Sequence, residues 1–77
     1  MVIYKVARET RWDEDNGTYA AFGIRAMEEE GQCQYIPDIS LNEHEVLELA
    51  NRLNVLGLSV EHFRDVVEDF VESRGGT

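Results

Sequence analysis

The stretch Ser59 to Ser73, SVEHFRDVVEDFVES, decides how the rest of the chain must fold. Val60, Phe63, Val67, Phe70 and Val71 recur at spacings of three and four, and Val66 widens the stripe. At about 100° per residue these side chains fall on one side of a cylinder. Glu61, Asp65, Glu68, Asp69 and Glu72 fall on the other. A period of two would scatter the valines and phenylalanines over both faces, so the segment reads as an amphipathic helix. Ser59 stands where its hydroxyl can accept from a first-turn N–H. Glu61 and Asp65 sit towards the positive end of the helix dipole. Gly75 and Gly76 end the pattern, and residues 75–77 read as a flexible tail. The acidic face carries like-charge pairs four residues apart, Glu61–Asp65, Asp65–Asp69 and Glu68–Glu72, each unfavourable by roughly 0.2–0.5 kcal/mol. Such a helix depends on what its apolar face covers.

Working back along the chain, Leu58 alone separates Ser59 from Gly57, so a second helix must end close by. Val46, Leu49, Ala50, Leu53 and Leu56 form its stripe, while Leu47 and Val55 fall off it. Ser40-Leu41-Asn42-Glu43 matches a capping box, with Asn42 as an alternative cap. Further back the period becomes two. Val2 to Glu9, Thr18 to Met27 and Gln32 to Ile36 read as strands, the last ended by Pro37, which lacks a ladder donor. Thr10 to Gly17 reads as a polar loop closed by Asn16-Gly17. The fold expected is α+β: a three-stranded antiparallel meander with two helices packed on one face, in the order β-β-β-α-α. It forms a single domain over residues 1–74.

The chain has 77 residues, sixteen acidic against seven basic, and a net charge of −9. A domain of this size buries only about 60% of the surface its unfolded chain exposes. The single cysteine, Cys33, allows no internal disulfide, and Cys33, His44 and His62 lack the spacing of a metal site. Pairing with a second copy is one way to extend so small a core. The acidic balance argues against direct contact with nucleic-acid phosphates and with anionic membranes. No run approaches a membrane span, and the start MVIYKVARE does not read as a signal peptide. A reducing cytoplasm is the compartment expected.

A resemblance emerges from Tyr19-x-x-Phe22-Gly23-Ile24, Ile36-Pro37-Asp38-Ile39-Ser40, Val46, Leu49, Asn54, Leu58-Ser59 and His62-Phe63-x-Asp65-Val66-Val67-Glu68-Asp69-Phe70. Over residues 18–71 the chain resembles a family of small bacterial, clostridia-type proteins catalogued as a domain of unknown function. Its closing helix follows an LSPxHLxDVVEDFL-like pattern. Val60 stands where proline is common and Phe63 where leucine is common, and both keep the helix start and the apolar stripe. The resemblance implies this fold and a bacterial cytoplasmic origin, and it carries no catalytic residues.

Candidate chemistry is sparse. Cys33 has neither base nor oxyanion site in view and reads as a small buried strand residue. An open helix face offers its carboxylates no enclosed site for general acid or base work. No catalytic, cofactor-binding or metal-ligating residue is expected, and no enzyme. Two surfaces remain. One is the acidic ridge of Glu61, Asp65, Glu68, Asp69 and Glu72, with Asp38 nearby, which suits a basic protein partner or imitates nucleic-acid charge. The other is the open sheet face, with Ile3, Tyr19 and Tyr35 and with Trp12 near its edge. The plainer reading of the ridge is a solvated face, and of the sheet residues ordinary half-exposure. The function expected is that of a non-catalytic interaction or regulatory module. An acidic nucleic-acid mimic is the alternative, and a small enzyme or metal-binding protein is the third.

Overall fold

The structure, a computed structural model, describes residues 1–75. Three antiparallel strands, β1 (Ile3–Asp13), β2 (Gly17–Glu28) and β3 (Gly31–Ser40), form one sheet in the order β1-β2-β3. Two helices follow, α1 (Glu43–Leu56) and α2 (Phe63–Gly75), with a 3₁₀ turn, Val60–His62, before α2. The expected β-β-β-α-α order and α+β class are what the molecule has. The end of α2 runs through Gly75, and the rest of the expected tail lies outside the described residues.

The hairpin is longer than its alternation suggested. Residues Thr10 to Asp13, expected as loop, continue β1 and pair with Ala20 to Gly17. Only Glu14, Asp15 and Asn16 turn. Asp13 holds them, accepting from the Asn16 backbone N–H at 2.6 Å and its side-chain amide at 3.1 Å. Gly17 then takes a left-handed conformation, φ 67°, which closes a three-residue hairpin loop. Those two hydrogen bonds, the backbone one first, hold the Asp13 carboxyl below its ordinary range.

Pro37 does not end β3. The strand runs on to Ser40 because β3 is an edge, where a missing N–H costs no ladder bond, and because the chain bulges there. Ile24 pairs with Ile36 and Phe22 with Ser40, so β3 uses extra residues between the two pairs. Asp38 absorbs the excess at φ 55°, a conformation that aspartate tolerates better than most side chains. The bulge presses on Gly23, where a Cβ would meet the Ile36 carbonyl oxygen and lie 2.7 Å from Pro37 Cα.

Helix α1 is capped by Asn42, whose side chain accepts from the Glu45 N–H at 3.4 Å. Ser40, expected first as the cap in a Ser40–Glu43 box, ends β3 instead. Its hydroxyl accepts from the Asn42 N–H and donates to Glu45 Oε1. At the far end Gly57, φ 61°, bonds back to Asn54, and the Leu58 N–H to Leu53. This is the paired closure that lets one helix stop and the next start within a few residues. Ser59 accepts from the Glu61 N–H, as its position suggested, but the turn it opens is 3₁₀ before α2 proper begins at Phe63.

The core lies between the helices and one sheet face. Phe63, Ile24, Leu49, Leu53 and Val46 are fully buried at its centre, joined by Tyr4, Phe22, Ala26, Ile39, Ala50 and Val67. Two stripe residues miss it: Leu56 is 67% exposed and Val71 is 44% exposed. Leu47 and Val55, off the stripe, are exposed too.

Tyr4 ties the layers together. Its ring packs on Phe63 at 5.0 Å between centroids, and its hydroxyl donates to the Leu58 carbonyl at 2.7 Å. Its backbone faces away from β2 towards Asn54 of α1. There the Tyr4 N–H donates to Asn54 Oδ1 at 2.8 Å, and Asn54 Nδ2 donates to the Tyr4 carbonyl at 2.9 Å. The side-chain amide thus stands in for a neighbouring strand on the β1 edge.

Replacing Asn54 by alanine removes both bonds. The expected cost is about 1–3 kcal/mol, seen as a lower urea midpoint and faster exchange of the Tyr4 amide. Gly23→Ala, forced against the β3 backbone, is expected to cost about 1–3 kcal/mol in the same assay.

Candidate functional site

The acidic ridge forms as its periodicity implied. Glu61 projects from the 3₁₀ turn, and Asp65, Glu68, Asp69 and Glu72 from α2, all exposed. Among the described residues none of these carboxylates takes part in an ion pair. Elsewhere some acids are paired, while Glu14, Asp15, Glu28, Glu29, Glu30 and Glu43 are in no ion pair among the described residues either. Glu9 holds Arg11 at 3.0 Å, Glu45 holds Arg74 at 2.9 Å, and Glu48 holds His44 at 2.9 Å.

Asp38 joins the ridge, through a groove between β3 and α2. The groove has a volume of about 340 Å³. Its floor is apolar: Ile36, Pro37 and Ile39 from β3, Val67 and Val71 from α2. Glu68 and Glu72 rim it on the helix side and Asp38 on the strand side. The bulge makes the groove, because it carries Pro37 and Asp38 out of the regular strand path while Ile39 turns back into the core. Sequence reasoning placed Asp38 near the ridge but took Pro37 as a strand end and Val71 as core, so the groove went unseen.

The open sheet face differs from its expected form. Ile3 pairs with Met27, and Tyr19 with Arg11. These two pairs lie eight residues apart along β1, roughly 26 Å at 3.3 Å per residue, so Ile3 and Tyr19 share no patch. Between them runs a polar strap. Tyr35 pairs with Arg25 on β2, yet its hydroxyl donates to Glu9 Oε1 on β1. The ring must therefore cross the central strand, and only Gly23 and Ala21 lie on this face below its path. The Arg25 guanidinium stands 4.9 Å from the ring centroid, Arg11 donates to Glu9 Oε2, and Arg11 Nε lies 3.9 Å from Asp38 Oδ2. Burial first, then the hydrogen bond from Tyr35 to Glu9, raises the Tyr35 hydroxyl above the ordinary tyrosine value. The signal available in the sequence was the small pair Ala21 and Gly23 at the centre of the outer parity, a floor for something larger.

Trp12 belongs to neither grouping. The register gives it the parity of Tyr4 and Val6, the helix-covered face, opposite Thr18. It is nevertheless 68% exposed, because β1 extends about 36 Å against about 21 Å for α1 and overhangs it. Cys33, expected buried, is exposed, its thiol directed at the Ala26 carbonyl at 3.3 Å on an edge strand. His44 meets Glu48 of its own helix, and His62 is exposed in the 3₁₀ turn. Among the described residues no cluster of histidine, cysteine and acidic side chains has the geometry to hold a metal ion, and no helix is long and apolar enough to cross a membrane.

The family model described as "Family of unknown function (DUF6514)" matches residues 1–73. The chain belongs to this family. No curated protein and no solved structure matches it. The family assignment covers the whole sheet, α1 and α2 as far as Ser73, including every residue of the ridge, the groove and the strap.

The strap has a measurable pH signature. Tyr35 is neutral in the fold and its ionisation is displaced upward, so its contribution is complete below pH 10.0 and is lost as pH climbs through the higher folded value. Tyr35→Phe is expected to lower stability by about 1 kcal/mol at neutral pH and to flatten the fall of the urea midpoint above pH 10.0. Equal alkaline profiles for the two proteins would show that the Tyr35–Glu9 bond contributes nothing.

Proposed function

We propose that the chain is a non-catalytic protein-interaction module of the bacterial cytoplasm, which binds a basic partner through the ridge of Glu61, Asp65, Glu68, Asp69 and Glu72. One observation carries this reading: among the described residues no lysine or arginine is ion-paired to the ridge, although Arg64 lies beside it on α2. Arg11 goes to Glu9 and Asp38, and Arg74 to Glu45 and Ser40. The ridge bears repulsions between its own acids that a partner's lysines and arginines would relieve. Groups whose titration the fold does displace, Tyr4, Asp13 and Tyr35, hold structure together rather than converge on a cleft. The exposed Cys33 fits a reducing compartment.

The charge spacing favours a second reading, the nucleic-acid mimic. From Glu61 to Glu72 the carboxylates span about 16 Å, one per roughly 4 Å. One strand of a duplex carries a phosphate per about 3.4 Å. A mimic would occupy a protein that otherwise binds DNA or RNA.

The expected result with a purified partner is a complex that weakens roughly tenfold or more from low to high salt. Reversing Asp65, Glu68 and Glu72 to lysine should abolish it, measured by calorimetry beside a circular-dichroism check of the fold. A complex indifferent to both salt and reversal would remove the ridge as the binding surface. Displacement of the chain by duplex DNA would select the mimic, and its persistence would select the general module.

A further inference from the structure

We infer that the groove between β3 and α2 is where the basic partner is read, and that it takes a short lysine- or arginine-rich segment carrying one apolar anchor. The inference rests on the module reading and adds the chemistry of the ligand.

Val71 is the starting point. By period it belongs to the apolar stripe of α2, yet it is 44% exposed and lines the groove. Beside it the floor is continuous with the core: Val67 is 3% exposed and Ile39 is 7% exposed. An apolar side chain entering here would extend the hydrophobic core rather than rest on a surface. At about 340 Å³ the groove admits one or two side chains and not a whole helix.

The rim chooses the neighbours of that anchor. Glu68 and Glu72 stand on one bank and Asp38 on the other, all exposed. Cationic residues on both sides of the anchor would meet carboxylates on both banks. Strand addition is a poor alternative at this edge. Pro37 has no N–H to offer, and Asp38 at φ 55° leaves the extended conformation that a ladder needs. Recognition must therefore run through side chains. A second copy of the chain is a poor occupant, since a net charge of −9 on each protomer brings like charge to the rim.

The test uses two labelled peptides and fluorescence anisotropy at low salt. One peptide has a single leucine flanked on both sides by lysines, and the other has serine in place of the leucine. The native chain is expected to bind the leucine peptide about tenfold more tightly than the serine peptide. Val71→Arg, at an exposed position that leaves the fold intact by circular dichroism, should weaken the leucine peptide by about tenfold. Glu68→Lys with Glu72→Lys should abolish binding, while Glu29→Lys in the distant β2–β3 turn should change it little. Amide shifts on binding should centre on Ile36, Ile39 and Val67. If both peptides bind alike and Val71→Arg is silent while the double reversal still abolishes binding, the groove is overturned and the ridge stands. If neither peptide binds, groove and ridge fall together. Shifts centred elsewhere would overturn the groove alone.

Discussion

Tyr4 is the point at which the two layers become one fold. The sheet and the helices are joined in sequence only through Leu41 and Asn42, so their relative placement must be set by contacts distant in the chain. Tyr4 makes them in three directions. Its backbone is held by the Asn54 amide, its hydroxyl by the Leu58 carbonyl, and its ring by Phe63. Burial, then the nearby Cys33 and Glu28, keeps the hydroxyl protonated beyond the ordinary tyrosine range, so it remains a donor to Leu58. The αL closure at Gly57 presents that carbonyl. Without the closure, Phe63 could not sit both at the start of α2 and against Tyr4.

A second tie closes the other end. Arg74, near the end of α2, reaches Ser40 and Glu45, at the end of β3 and the start of α1. The helices are thus fixed at opposite ends, by an apolar and hydrogen-bonded contact at one and by an exposed ion pair at the other. Exposed ion pairs contribute little, commonly below about 1 kcal/mol. The Tyr4 end therefore dominates, and the Arg74 end sets orientation more than stability. The groove lies between these two ties, along α2 and β3.

Much of this could be read from residue spacing, and the part that could not has a common cause. Periodicity located both helices, all three strands and the buried stripe from Val46 to Leu53, because each is a local pattern repeated several times. Ser59 and Gly57 were legible because caps and closures are short-range chemistry, while the α1 cap fell on Asn42, the alternative, and not on Ser40. The misses at Pro37, Val71 and Tyr35 depend on pairs far apart. Pro37 continues a strand only because β3 is an edge, which depends on sheet order. Val71 is exposed only because the bulge draws Pro37 and Asp38 away from the helix. Tyr35 leaves its own strand for Glu9 only because Ala21 and Gly23 on β2 let it cross. Trp12 was misplaced for a local reason: TRWDEDNG is polar enough to pass for a loop, but only Glu14 to Asn16 turn.

The bulge connects these misses to the proposed site. Gly23 gives β3 room to approach β2 closely at Ile36, and Asp38 takes up the surplus backbone in a conformation most residues avoid. The result is two surfaces from one irregularity. On the open face Asp38 faces Arg11, at the end of the chain of contacts from Arg25 through Tyr35 and Glu9. On the helix face Asp38 rims the groove with Glu68 and Glu72. A cationic ligand in the groove would compete with Arg11 for the Asp38 carboxylate, held now only at 3.9 Å. The pair is long, and Arg11 keeps its closer contact with Glu9, so occupying the groove would not require the strap to break. The same aspartate can then serve the fold when the groove is empty and the ligand when it is filled.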